Sequence, residues 1–200
     1  ADGPIVAGRR TAVTVRLTRP GSGAASTAPQ PSGVCGGGVG PVEPKELMVM
    51  HTQPIHLLIE EPGLADYHHE HPLPTGAPGE YKFSFTPAKS SPYRIWADIV
   101  PRATGIQEMP FVDLPSEGRP GSIADRTDSL TSTVEGFAFV LTSSGPLVAN
   151  QTCRLGISIT DSDGKPVARL EPVMNAFAHL VGFYDDFTTV IHLHPLGGDI

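Results

Sequence analysis

The sequence repeats one histidine pattern at a fixed distance, so two segments of the chain are expected to have similar local structure. In each copy a His-Leu pair is followed by His-x-His-Pro-Leu, and each residue of the second copy lies 123 positions after its counterpart. The two copies align without a gap from His56 to Leu73 and from His179 to Leu196. Such agreement indicates an internal duplication. Six of the eight histidines belong to the pattern: His56, His69, His71, His179, His192 and His194.

Short runs of alternating apolar and polar residues predict an all-β chain. Residues 13–17 and 81–85 alternate in this way, and frequent glycine (22) and proline (21) residues supply the turns between such runs. No segment has the periodicity of a convincing amphipathic helix. We therefore predict two tandem β-sandwich units of immunoglobulin or cupredoxin type. The second unit is predicted to be incomplete, because its copy of the pattern is not followed by further strands.

Changes in composition predict how the chain is divided. Residues 1–114 are predicted to form the first sandwich, which includes a long Gly/Ser/Pro-rich loop at about 20–40. Residues 115–133 are predicted to be a linker, and residues 134–200 the second, truncated repeat. An incomplete sheet leaves an open edge. A homodimer that completes the second repeat is therefore one expected partner arrangement.

Charge and composition exclude some classes of function. The formal net charge of −7 argues against binding to nucleic acid, which needs clustered Lys and Arg. No apolar stretch is long enough to span a membrane. The opening Ala-Asp-Gly-Pro is expected of a mature exported protein or of a trimmed chain. Cys35 and Cys153 permit one disulfide, while a buried free thiol at Cys153 is equally compatible with the sequence.

The spacing of the histidines predicts that three imidazoles converge in each copy. Both histidines of a His-x-His strand point to the same face of the sheet. A two-residue turn at Pro62-Gly63 would place His56 directly across from His69. The same count places His179 across from His192. Each copy is thus predicted to carry a three-histidine cluster on one face of a hairpin.

Three imidazole nitrogens suit a transition metal such as copper or zinc, and suit Mg²⁺ or Ca²⁺ poorly. His51 and Met174 are equivalent under the 123-residue shift, and each is a possible fourth ligand of its own copy. A thioether favours copper over zinc. Asp98 could orient an imidazole by accepting a hydrogen bond from it. The alternative is that the histidines only stabilise the hairpins through cross-strand pairs.

Two groups of motifs resemble a family of exported bacterial proteins. The first group is Pro-Ile-His-Leu-Leu-Ile, His-Glu-His-Pro and Tyr-Arg-Ile-Trp-Ala-Asp, within residues 41–101. The second is Asn-Ala-Phe-Ala-His-Leu-Val with Ile-His-Leu-His-Pro, within residues 137–197. The family resembled consists of mostly uncharacterised periplasmic or secreted β-sandwich proteins associated with copper. The resemblance implies that the six repeated histidines are metal ligands.

Three functions are compatible with these patterns. The leading hypothesis is a non-enzymatic protein that sequesters copper or delivers it to a copper transporter or chaperone, since no nucleophile or base motif accompanies the histidines. The second is a metalloenzyme with a mononuclear or dinuclear copper or zinc centre. The third is a structural or assembly module whose histidine clusters hold no metal.

Overall fold

The computed structural model describes residues 1, 3–19, 40–122 and 129–196, and these form an all-β structure, as predicted. Its sheets are small and antiparallel. The predicted loop at about 20–40, apart from Gly40, lies outside the described residues, and so does Cys35. The strands are β1 (Thr11–Arg16), β2 (Thr18–Arg19), β3 (Gly40–Pro41), β4 (His56–Glu60), β5 (His68–Glu70), β6 (Leu73–Pro74), β7 (Glu80–Phe85), β8 (Tyr93–Asp98), β9 (Phe111–Leu114), β10 (Thr131–Val134), β11 (Phe137–Ser143), β12 (Leu155–Thr160), β13 (Leu180–Phe183) and β14 (Val190–Leu193).

The chain forms two compact units. One comprises residues 1–124 together with 174–200, and the other comprises residues 125–173. The first unit therefore contains both copies of the histidine pattern. The predicted segments 1–114, 115–133 and 134–200 follow the sequence repeat and not this packing. As domain boundaries they stay a prediction, as does the homodimer.

Two sheets of the first unit pack face to face as a sandwich. One has the strand order β1-β7-β6 and the other the order β5-β4-β8-β9. Alternate residues of β1, β7 and β8 point inward, as expected of strands that are half-buried. The core between the sheets is formed by residues that include Val13, Leu47, Leu57, Ile59, Tyr81, Phe83, Phe85, Tyr93, Ile95 and Leu114.

Strand β4 is buried on both faces, because the hairpin β13–β14 covers the outer face of its sheet. Leu57 and Ile59 point into the sandwich core. Leu58 points the other way and forms a second core with Trp96 and Val190. This explains why His-Leu-Leu-Ile-Glu is continuously buried and lacks the alternation of a sheet with one face in solvent. The second copy of the histidine pattern is thereby stacked on the first.

The two histidine hairpins have the same register. Leu58 pairs with His69 in the first hairpin, and the equivalent Val181 pairs with His192 in the second. The predicted pairings of His56 with His69 and of His179 with His192 were therefore wrong by two residues. A register shift of two keeps every side chain on the same face, so the convergence of the histidines is unaffected.

The register differs because the connecting turn is longer than a two-residue hairpin turn. In the first hairpin Leu64 N–H donates to the Glu61 carbonyl, and in the second Phe187 N–H donates to the Tyr184 carbonyl. Leu64 and Phe187 have positive φ angles of 53° and 60°. These paired positions are again 123 residues apart. The duplication is thus reproduced in the backbone as well as in the side chains.

The second unit is described by residues 129–173 and contains the antiparallel sheet β10-β11-β12. Most side chains of its strands are exposed. Cys153 lies in this unit as a half-buried free thiol, with Sγ 3.7 Å from the Ser144 hydroxyl. Within the described part of the chain, no helix is both long and apolar enough to cross a membrane.

The second core can be tested by truncating Leu58, which has no exposed surface. Leu58→Ala is expected to lower the free energy of unfolding by about 2–5 kcal/mol, because it leaves a cavity against Trp96 and Val190. Urea unfolding measures this loss. The control Leu73→Ala removes the same atoms from a side chain that is 63% exposed and should change stability by about 0.5 kcal/mol or less. Equal effects would mean that β13–β14 does not cover β4.

Candidate metal centre

The first cluster, which we call triad 1, consists of His56, His69 and His71. His56 begins β4, His69 lies in the neighbouring β5, and His71 follows that strand. Nδ1 of His56 lies 3.2 Å from Nε2 of His69 and 3.1 Å from Nε2 of His71. All three nitrogens fall within 4.8 Å of one another. One ion could therefore contact all three imidazoles.

The second cluster, triad 2, consists of His179, His192 and His194 and uses the same atoms. Nδ1 of His179 lies 3.4 Å from Nε2 of His192 and 3.1 Å from Nε2 of His194. These nitrogens also lie within 4.8 Å of one another. The structure thus brings together all six predicted histidines, as two triads of three.

The spacing of the nitrogens fits metal coordination. Imidazole nitrogens bind Zn²⁺ at about 2.0–2.1 Å, which places neighbouring ligand atoms about 3.3–3.6 Å apart in a tetrahedral or trigonal site. The closest contacts in the two triads, 3.1–3.4 Å, are close to this spacing. Both triads are therefore compatible with metal binding.

Two neighbouring groups fix which imidazole nitrogen faces the centre of each triad. His56 Nε2 lies 3.0 Å from the carbonyl oxygen of Met50, which can only accept, so Nε2 carries the proton and Nδ1 presents its lone pair to triad 1. His192 Nδ1 lies 2.8 Å from Oδ2 of Asp98. Nδ1 donates this hydrogen bond, so Nε2 presents its lone pair to triad 2. Partners of this kind are typical of histidines that bind metals.

Asp98 is itself held in place. Its other oxygen, Oδ1, accepts a hydrogen bond of 2.8 Å from the Gln107 side chain. Burial favours the neutral carboxyl, but the hydrogen bonds from His192 and Gln107 outweigh it and lower the pKa of Asp98. The ionised carboxylate lies in the position that the sequence analysis suggested for it, against an imidazole of a triad.

Burial keeps four of the six triad histidines neutral, which is the state that binds metals. Loss of solvent, together with repulsion from the neighbouring imidazoles, lowers the pKa of His69 to about 3 and that of His71 to about 4. The same causes lower the pKa of His194 to about 4. Burial also lowers the pKa of His56. These nitrogens therefore keep their lone pairs at neutral and mildly acidic pH.

The two triads lie side by side. The ring centroids of His69 and His192 are 5.3 Å apart, and those of His56 and His192 are 5.8 Å apart. His69 is also 5.9 Å from His179. These rings come from the facing hairpins β4–β5 and β13–β14, which the second core holds together.

His51 lies against triad 2, although the sequence analysis grouped it with triad 1. Its ring stacks on His194, with centroids 3.6 Å apart, and meets His179 edge-on at 6.0 Å. His51 and Met174 both have left-handed backbones, with φ angles of 44° and 50°. Met174 is half-buried, and its role as a fourth ligand stays a prediction.

A cavity of about 310 Å³ opens beside the triads. His56, His192 and His194 line it, as do Met48 and Met50. Both methionines are more than one-third exposed. The Met50 carbonyl and the Gln107 side chain were missed by the sequence analysis, because a backbone acceptor and a residue in an irregular loop leave no pattern in the sequence.

Comparison with known protein families matches part of the chain. Residues 132–199 match a family described as a domain of unknown function, DUF8832, and this segment contains triad 2. No curated protein and no solved structure matches the chain. The resemblance to exported copper-associated proteins therefore stays a prediction.

The lowered histidine pKa values predict that the metal-free protein loses stability in mild acid. In the unfolded chain these histidines take up protons near pH 6.5, whereas in the folded protein the most shifted do so only near pH 3–4. Between those values the unfolded state binds more protons, so the free energy of unfolding falls as the pH drops. We expect a loss of the order of 1 kcal/mol per pH unit for each such histidine.

Urea unfolding of chelator-treated protein at pH 7.5 and pH 5 measures this dependence. The variant His71→Gln lacks one of the titrating groups, so its stability should fall less steeply over the same interval. A wild-type midpoint that does not change with pH would show that the imidazoles are not buried as described.

Proposed function

We propose that this chain is a transition-metal-binding protein that holds copper at its two histidine triads. One observation carries the proposal. In each triad one Nδ1 and two Nε2 atoms lie within 4.8 Å of one another on paired strands. Three converging imidazoles form a borderline-soft nitrogen site, which suits Cu, Zn, Ni or Co.

The surroundings of the triads favour copper over zinc. Met48 and Met50 line the cavity that reaches His56 and His194. Thioethers bind Cu(I) and are rarely ligands of Zn²⁺. Because both methionines are partly exposed, they are suited to receive a soft ion from solvent or from a partner protein. Zinc is the competing metal that a titration must compare.

Sequestration or delivery fits the site better than catalysis. Asp98 is the one carboxylate among the described residues that line the cavity, and it is engaged by both His192 and Gln107. No carboxylate there is left to act as a general base. We further propose that the protein is exported to the bacterial periplasm or secreted, and that a copper transporter or chaperone exchanges the ion with it.

A metalloenzyme is the second candidate, and the cavity is the observation that favours it. Its volume of about 310 Å³ would admit a small molecule beside His56 and His192. Turnover distinguishes the two candidates. Sustained oxygen consumption by the copper-loaded protein with ascorbate as reductant, faster than that of the same concentration of free copper, would favour the enzyme, and consumption no faster than that of free copper would favour the carrier.

The proposal predicts that metal affinity depends on the triads and not on histidine content. Competition with chelators of known affinity should show Cu(I) or Cu(II) binding tighter than micromolar in the wild type. His71→Gln removes one of three ligands of triad 1. The variant should lower the metal affinity of that site by at least about 100-fold. Loss of a group that is only hydrogen-bonded to a metal ligand typically lowers the affinity by about 10–100-fold.

His68→Gln is the matched control, because it removes a neighbouring histidine that belongs to neither triad. Its Nε2 lies 3.2 Å from Oδ1 of Asp66, and its ring packs against Phe85. The control should bind as tightly as the wild type. Equal losses in both variants, or no binding tighter than micromolar by copper or zinc, would contradict the proposal.

A further inference from the structure

We infer that the two triads form one binuclear centre, in which two metal ions interact, and not two independent sites. The inference rests on the proposed metal-binding function and adds the relation between the ions. It comes from the positions of the imidazole rings in the two facing hairpins, which are fixed by packing outside the triads.

Rings of different triads are about as close as rings of the same triad. Within triad 1 the centroids are 4.8–5.3 Å apart, and within triad 2 they are 4.6–5.6 Å apart. Between triads, His69 and His192 are separated by 5.3 Å. The six imidazoles therefore form one continuous cluster. Ions bound to the two triads would be near neighbours, with no apolar layer between the rings that hold them.

The facing arrangement is held by contacts that do not depend on a metal. Leu58, Trp96 and Val190 form the core between the hairpins. Arg94 adds a hydrogen bond between the sheet and the second hairpin, because its guanidinium donates to the Phe187 carbonyl. The same guanidinium is paired with Asp113. The Phe187 ring packs edge-on against Trp96, with centroids 5.1 Å apart. The hairpins are thus positioned before any ion binds.

The two metal positions are not equivalent. Triad 2 receives a carboxylate hydrogen bond through Asp98 and His192, and it is covered by the stacked ring of His51. In triad 1 the corresponding hydrogen bond runs from His56 to the backbone carbonyl of Met50. An imidazole that is hydrogen-bonded to a carboxylate is a more basic metal ligand than one that is hydrogen-bonded to a neutral carbonyl. Triad 2 should therefore fill first with a divalent ion.

Charge limits which ions can fill both positions together. The six ligands are neutral imidazoles, and Asp98 is the one carboxylate within the described surroundings of the cavity. Two divalent ions would bring a charge of +4 into a partly buried site and would repel each other strongly. Double occupancy therefore calls for two monovalent ions, such as Cu(I), or for an anion such as hydroxide between two divalent ions.

Titration of the full chain with Cu(II), followed by electron paramagnetic resonance and metal analysis, tests the inference. One equivalent should give one full spin per copper. At two equivalents, the integrated intensity per copper should fall, or a broadened spectrum with a half-field transition should appear, because neighbouring unpaired spins couple.

Three variants complete the test. His71→Gln and His194→Gln each disable one triad, so each should bind one tight ion with a full-intensity, unbroadened signal. His68→Gln should behave as the wild type. The wild-type spin count does not depend on any variant, so the test holds even if one of them fails to fold.

The outcomes separate the inference from the proposed function. Two tightly bound coppers with full, non-interacting signals would overturn the binuclear centre and leave metal binding at the triads intact. One copper shared by all six histidines would also overturn it. No binding tighter than micromolar would overturn the proposed function and the inference with it.

Discussion

The packing of the hairpin β13–β14 on the outer face of β4 and β8 determines where the two triads lie. Leu58 and Trp96 are fully buried by it, together with Val190. Without this layer, His56 and Leu58 would lie on the exposed face of a two-sheet sandwich. With it, one face of each duplicated hairpin meets the other, and the histidines on those faces are withdrawn from water. The burial of apolar side chains between the hairpins thus keeps the imidazoles of both triads in place.

Placing six imidazoles in one partly buried cluster is costly unless their nitrogens are satisfied. The outer nitrogens of His56 and His192 are satisfied by the Met50 carbonyl and by Asp98. The inner nitrogens point at one another. In triad 1, Nδ1 of His56 is then the single acceptor for two neighbouring imidazoles. A metal ion satisfies all three lone pairs at once, which hydrogen bonds among three nitrogens cannot do.

Much of this arrangement follows from the sequence. The all-β class follows from the alternation of short strands, and the convergence of the histidines follows from the two-residue period of a strand together with the duplication. The histidines converge even though the predicted register was wrong by two residues, because side chains two positions apart on a strand share a face. The exact turn could not be predicted, since Leu64 and Phe187 adopt left-handed backbones that their residue types do not favour.

Contacts between distant segments were beyond the sequence. Nothing in the local pattern indicates that His51 stacks on His194, because that contact depends on the docking of one hairpin on another. The same is true of the hydrogen bond from His192 to Asp98, which joins residues 94 positions apart. Asp98 could be suspected only as a carboxylate at the end of a strand. The duplication indicated two similar sites, whereas docking makes them neighbours and gives them different partners.

Anomalous diffraction at the copper edge, from crystals of the copper-loaded protein, tests the central claim most directly. The account predicts an anomalous peak in each triad, about 2.0–2.1 Å from one Nδ1 and two Nε2 atoms. Peaks found only at other surface groups, with the imidazoles of both triads hydrogen-bonded to one another, would contradict it.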